Sequence, residues 1–249
     1  MPTTKRQLQP KDVLRERGAS AAAMLDQLDG RGIKLEDGAL GYVCARGYAD
    51  CALLLCERGA AIDKANPKGG TPLHAACCAG HIDIALLLCE RGAAIDKTDC
   101  SGTRPLHAAC ATGRTDIALL LCERGAAIDQ ADGNGTTPLY VACATGHTDI
   151  ALLLCQRGAA IDQADGNGAT PLYIACQYGH ADCVRLLFEW GAANGDGVIT
   201  PMYIACVRGH ADCVRLLCER GAQIGLALAA ARSKGHADCV RMIEAAMQG

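Results

Sequence analysis

The chain of 249 residues is half apolar yet only 3% aromatic, so its apolar share rests on Ala, Leu, Ile, Val and 17 cysteines. A core this poor in large rings is thin, built from small residues that let elements approach closely. Lys and Arg number 24 against 27 Asp and Glu, a net charge of −3, which leaves no basic footprint for direct nucleic-acid binding.

The apolar content is too high for a disordered chain. No segment reaches the roughly 18 apolar residues of a membrane span; the longest candidate, Gly221 to Ala231, contains Gln223. The opening MPTTKRQLQPKDVLRERG lacks an apolar stretch of the secretory kind, so no signal is expected. An odd cysteine count without such a signal argues against a disulfide framework. It points to reduced thiols acting as small hydrophobes in an intracellular, reducing compartment.

In chain order, residues 1–37 are mixed, with a helix predicted over Ala21–Leu28 that caps the first helix pair. The segment ALLLCERGAAID begins at Ala52, Ala85 and Ala118, and again at Ala151 with Gln156 replacing the Glu. The starts are 33 residues apart. A second landmark opens the second to sixth units: TPLHAAC at Thr71, RPLHAAC at Arg104, TPLYVAC at Thr137, TPLYIAC at Thr170 and TPMYIAC at Thr200. Three of these steps are 33 residues and the last is 30.

One unit shows how the residues work. Thr71 is a good helix N-cap, and Pro72 suits the first helical position, where its missing N–H costs nothing. Leu73, Ala76 and Cys77 share one helical face. Gly80 ends the short helix, and Asp83 lies in the first turn of the next, where it meets the positive end of the helix dipole. An Asp stands there in all seven units: Asp50, Asp83, Asp116, Asp149, Asp182, Asp212 and Asp238. The second helix is expected to carry Leu87 and Leu88 inward and to stop at Gly92. Asp129-Gln-Ala-Asp-Gly-Asn-Gly135 then reads as a projecting turn.

The recurring T-P-L-H-x-A, the 33-residue period and the following G-H-x-D resemble the ankyrin-repeat family. The resemblance implies an all-α solenoid of stacked helix-turn-helix units with projecting β-turn fingers, occupying 38–249. The units begin at Gly38, Thr71, Arg104, Thr137, Thr170, Thr200 and Leu226. The first and last, GALGYVC and LALAAAR, have lost the pattern, as end units must to cap an open apolar face. The connections shorten: Gly158 to Thr170 is twelve residues, Gly191 to Thr200 nine, and Gly221 to Leu226 five.

Chemical sites are few. Cys44, Cys77, Cys110, Cys143, Cys176 and Cys206 fall in one column, and Cys56, Cys89, Cys122, Cys155 and Cys218 in another, where the family usually has Ala and Leu. Helices pack about 8–10 Å apart, while a disulfide needs Cα atoms within about 7 Å. Equivalent cysteines in neighbouring units therefore do not bridge. Cys78 and Cys100 lie outside both columns and are the expected reactive thiols. His74, Cys77, Cys78 and His81 have ligand types zinc favours. However, His74 and Cys77 are structural places, and Arg114 stands where His81 would recur. The Asp-Gly-Asn-Gly turns at 132–135 and 165–168 lack a calcium loop's alternating ligands. No metal, cofactor or catalytic constellation is expected.

Two faces are candidates for a partner. On the concave side, Arg46, Tyr178 and Arg208 stand out among the small residues before each helix-one Gly, and Tyr and Arg dominate hot spots. Trp190, where other units carry Arg, is a further candidate, with packing beside a shortened finger as the alternative. On the back, the resemblance implies a charged residue three places after the helix-two Asp. Here that place holds Leu53, Leu86, Leu119 and Leu152, then Arg185, Arg215 and Arg241. With Ile82 beside them, the leucines form an exposed ridge if helix two turns them outward; otherwise they tuck against their neighbours.

The expected function is a non-catalytic protein-interaction scaffold or adaptor. The ridge favours a stable subunit of a multi-subunit complex, with a membrane-associated one among the options. The alternative is a thiol-based redox or zinc-binding protein.

Overall fold

The computed structural model describes residues 20, 22–26, 38–195 and 200–248. Its contacts divide the chain into two compact units, 1–100 and 101–249. Each is a stack of antiparallel helix pairs, and no strand occurs among the described residues.

The first unit contains α1 (Ala39–Arg46), α2 (Ala49–Glu57), α3 (Pro72–Ala79) and α4 (Ile82–Glu90). Each helix packs on its hairpin partner, while α1 lies against α3 and α2 against α4. Leu25, in a helical stretch at 22–26, is fully buried. Met24 shares a shallow groove with Gly47, Tyr48 and Cys51, so this stretch covers the open end of the first pair. The rest of the predicted capping helix, Ala21 and 27–28, lies outside the described residues.

Local sequence explains α3. The Thr71 hydroxyl accepts the His74 backbone N–H at 3.4 Å, and His74 Nδ1 accepts the Thr71 N–H at 3.1 Å. Two otherwise orphaned donors are thus satisfied reciprocally. Leu73, Ala76 and Cys77 are fully buried, and Gly80 closes the helix at φ 83°. In α4 the inward residues are Ile84, Ala85 and Leu88. Leu87, expected to point inward, is only half-buried. The inner stripe of this nine-residue helix falls at 84, 85 and 88, and 87 lies on its shoulder.

The second unit contains α5 (Pro105–Thr112), α6 (Thr115–Glu123), α7 (Pro138–Thr145), α8 (Thr148–Gln156), α9 (Pro171–Tyr178), α10 (Ala181–Glu189), α11 (Pro201–Arg208), α12 (Ala211–Glu219), α13 (Ala227–Lys234) and α14 (Ala237–Ala246). First helices stack on first helices and second on second. Thr137, Thr170 and Thr200 cap their helices by accepting the N–H of Tyr140, Tyr173 and Tyr203 at 3.2 Å each. Arg104 has no hydroxyl for this; its guanidinium instead donates to the Ala131 carbonyl at 3.0 Å.

A histidine locks each of the last three pairs to the one before. His180 Nε2 lies 3.2 Å from the Ala144 carbonyl, and His210 and His236 repeat the contact on Gln177 and Val207. A carbonyl only accepts, so Nε2 carries the proton. The ring covers Gly146, where a Cβ would meet His180 Nδ1 at 2.6 Å, and φ there is 75°.

The fingers are tight turns. Asp132 Oδ1 accepts the N–H of Asn134 and of Thr136, both at 2.9 Å, and Asp165 does the same for Asn167 and Ala169. Successive tips join by backbone bonds, Gly133 N–H to Ser101 and Gly166 N–H to Asn134, each 2.9 Å. Asp129 Oδ1 accepts the Ala160 N–H at 2.9 Å, which braces each finger to the next repeat. The predicted shortened connection after the fifth repeat includes 196–199, outside the described residues. After the sixth, Ala227 N–H donates to Ile224 at 2.8 Å and the next helix begins at once. The final pair buries Ala231, Cys239 and Ile243. Its far end carries polar residues, including an Arg232–Glu244 pair at 2.7 Å.

Candidate protein-binding surfaces

The place three residues after the helix-two Asp falls opposite the buried stripe. Leu86 and Leu119 are each 37% exposed and Leu152 is 36% exposed, whereas Leu53 and Ile82 are half-buried. Leu119 and Leu152 lie on α6 and α8, which pack together in the second unit. Further on, the same place is charged. Arg185 is exposed. Arg215 is tied down by Glu219 at 2.8 Å and Asp212 at 3.9 Å, and Arg241 by Asp238.

On the other side, the ends of the first helices carry the predicted concave residues. Arg46 is exposed and its guanidinium lies 5.5 Å over the Tyr42 ring. Tyr178 is 54% exposed, with its ring 6.4 Å from that of His180, and Arg208 is exposed on α11. Trp190 ends α10 and is 43% exposed, while its neighbour Phe188 is buried with the Arg220 guanidinium 5.5 Å over its ring.

A groove with no signature along the chain opens between α7 and α9, lined by Tyr140, Asp165, Tyr173, Ile174, Gln177 and Tyr178. Tyr140, whose place in other repeats holds the motif His, donates its hydroxyl to Asp165 Oδ2 at 3.2 Å. Burial, then the Asp165 charge, pushes that hydroxyl up, so it stays protonated and donating. The substitution of Tyr for His was legible; that it builds one wall of a groove was not.

None of the seventeen cysteines is in a disulfide. Burial pushes Cys44 and Cys206 up to about 12 and Cys155 to about 11. Cys78 and Cys100 are exposed as expected, but burial and then the Asp99 charge push the Cys78 thiol up. Its reactivity at neutral pH is thereby lowered.

The helix-one column is buried, whereas in the helix-two column only Cys155 is buried and Cys56, Cys89, Cys122 and Cys218 are half-buried; Cys51, Cys183, Cys213 and Cys239 share a further place and are buried. The Cys183 thiol meets that of Cys143 in the preceding repeat and sits 3.4 Å from the Thr148 hydroxyl. His74 is engaged by Thr71, and the His81 ring lies against Gly47, so the zinc-like quartet does not converge. Among the described residues no three His, Cys, Asp or Glu side chains form a metal-holding group.

The family model described as ankyrin repeats (3 copies) matches residues 19–99, 40–132, 94–165, 121–198 and 157–227. The chain belongs to the ankyrin-repeat family. Ankyrin repeats are protein–protein interaction domains, and the family is generally non-enzymatic. No curated protein matches the sequence. Among the described residues, no helix of these repeats is long and apolar enough to cross a membrane.

Proposed function

We propose that this ankyrin-repeat chain is a non-catalytic scaffold that holds a protein partner on the outer face of its second helices, as a stable subunit of a larger assembly. One observation carries the reading: Leu86, Leu119 and Leu152 occupy the same place in three repeats and each is more than a third exposed. Repeated apolar exposure of this kind is a common mark of an interface. Seventeen cysteines without a disulfide, most of them buried, support a reducing, intracellular setting.

The test is co-purification of the native partner with a Leu119→Lys/Leu152→Lys variant. Partner loss with unchanged circular dichroism and melting temperature is expected, because both places are accessible to solvent. Retention of the partner overturns the outer-face reading. A second reading places the partner on the concave side, favoured by the exposed Tyr178 and Arg208. In that case Tyr178→Ala and Arg208→Ala release the partner and the lysines do not. A thiol or zinc protein is the remaining alternative. Full thiol titration of denatured protein, with no zinc released, counts against it.

A further inference from the structure

The groove between α7 and α9 has a chemistry of its own. Three tyrosines, Tyr140, Tyr173 and Tyr178, line it together with Asp165 of the finger. It is open to solvent and encloses about 430 Å³, at the lower end of the roughly 300–1,000 Å³ of ligand pockets. Asp165 Oδ1 is committed to two backbone N–H groups, while Oδ2 accepts only the Tyr140 hydroxyl. A carboxylate oxygen accepts more than one donor, so Oδ2 retains capacity facing the rings.

The two fingers beside the groove carry only acidic charge of their own, although the Arg104 guanidinium of the preceding repeat bonds the Ala131 carbonyl of the first. The two fingers flanking this groove both read Asp-Gln-Ala-Asp-Gly-Asn-Gly, 129–135 and 162–168, with four aspartates and no lysine or arginine. The finger at 63–70 instead carries Asp63, Lys64 and Lys68, so acidity is not a general property of these turns. Among the described residues Arg208, on α11, is the one cation whose charge reaches a groove residue, acting on the Tyr173 hydroxyl, whereas none is felt by the Tyr140 hydroxyl bonded to Asp165. Aromatic faces attract cations through the ring quadrupole, and a partly desolvated carboxylate adds a charge-assisted hydrogen bond.

We propose that this groove receives a lysine or arginine side chain from an extended segment of a protein partner, seated between the tyrosine rings with its charged head on Asp165. The proposal rests on the reading of the chain as a protein-binding scaffold and adds a second contact that selects partners by charge. An acidic side chain is repelled by Asp165, and a neutral one forgoes the charge-assisted bond.

The test uses the full chain and three capped pentapeptides, Gly-Ser-X-Ser-Gly with X as arginine, lysine or citrulline. Citrulline matches arginine in shape without the charge. Binding is read by NMR from the shifts of the Tyr173 and Tyr178 rings and of the 165–169 backbone. The arginine and lysine peptides are expected to shift these signals, and the citrulline peptide is expected to leave them unmoved. Asp165→Asn is expected to weaken cationic-peptide binding about tenfold. That variant keeps the turn, because Asn66 holds the equivalent place in its own finger and accepts the N–H of Lys68 and Gly70 with the same geometry. Tyr178→Ala, at an exposed position, is expected to weaken binding similarly. Equal shifts with citrulline, unchanged affinity in Asp165→Asn, or no shift at millimolar cationic peptide each overturn the proposal. The Leu119→Lys/Leu152→Lys variant is expected to bind the peptides normally, so failure of the outer-face reading is distinguishable from failure of this one.

Discussion

The second helices of the third and fourth repeats, α6 and α8, read TDIALLLCE and TDIALLLCQ, and those of the fifth and sixth, α10 and α12, read ADCVRLLFE and ADCVRLLCE. Inside, buried Ile117 and Ala118 correspond to Cys183 and Val184. One residue shrinks as its neighbour grows, so the filled volume is nearly kept. Outside, the exposed Leu119 and Leu152 correspond to Arg185 and Arg215. There nothing compensates, and the character of the face changes outright. Inner places are bound by volume, while outer places are free to suit whatever meets them.

The largest expected effect lies at the junction of these two regions. Gly146→Ala puts a Cβ against His180 at a φ of 75°, which costs about 1–3 kcal/mol in backbone strain alone. It should lower the urea midpoint and weaken the tie between the fourth and fifth repeats. Next, Cys183→Ile overfills α10 and is expected to cost about 1–3 kcal/mol. Adding Val184→Ala should recover most of that, because the pair then matches Ile117 and Ala118. Additive losses in the double variant would refute the shared-volume argument.

A smaller effect concerns a cap. The third repeat has Arg104 where the fourth to sixth have Thr. Arg104→Thr supplies a hydroxyl for the His107 N–H and is expected to raise stability by about 1 kcal/mol or less, since the bond to Ala131 is lost. Thermal melting would measure it.

The smallest is a pH effect. Burial opposes ionisation of Asp132, but the N–H groups of Thr136 and Asn134, helped by the Thr136 side chain and His107, hold its carboxyl below the usual 3.8. The stabilisation is therefore present above that value and is lost as pH falls through the lower folded value. Asp132→Asn should flatten the acid end of the stability profile, with slightly lower stability at neutral pH and nearly unchanged stability in acid, as urea midpoints across pH would show.

Much of this was legible beforehand. Thr71, Pro72 and Gly80 announce a cap, a first turn and an ending through the chemistry of single residues, and each does what its chemistry implies. The inward stripe was nearly right; Leu87 failed because a residue beside the stripe differs from one on it by a fraction of a turn. The thiol pair Cys143 and Cys183 was not legible, since it joins non-equivalent places in successive repeats that column counting keeps apart. The tyrosine groove escaped for a similar reason. Tyr140, Asp165 and Tyr178 come from a helix, a finger and the end of another helix, and no spacing along the chain brings them together.

The sequence by itself determined the repeat, its helices, its caps and the buried helix-one cysteine column. These depend on local backbone preference and on a period that recurs within each 33 residues. Only the tertiary structure decided which leucines stay exposed, which thiols touch and where the rings and the carboxylate form a groove. Those outcomes depend on how one repeat lies on the next, and that stacking is set by the Gly146–His180 approach and the finger-to-finger bonds rather than by any single repeat.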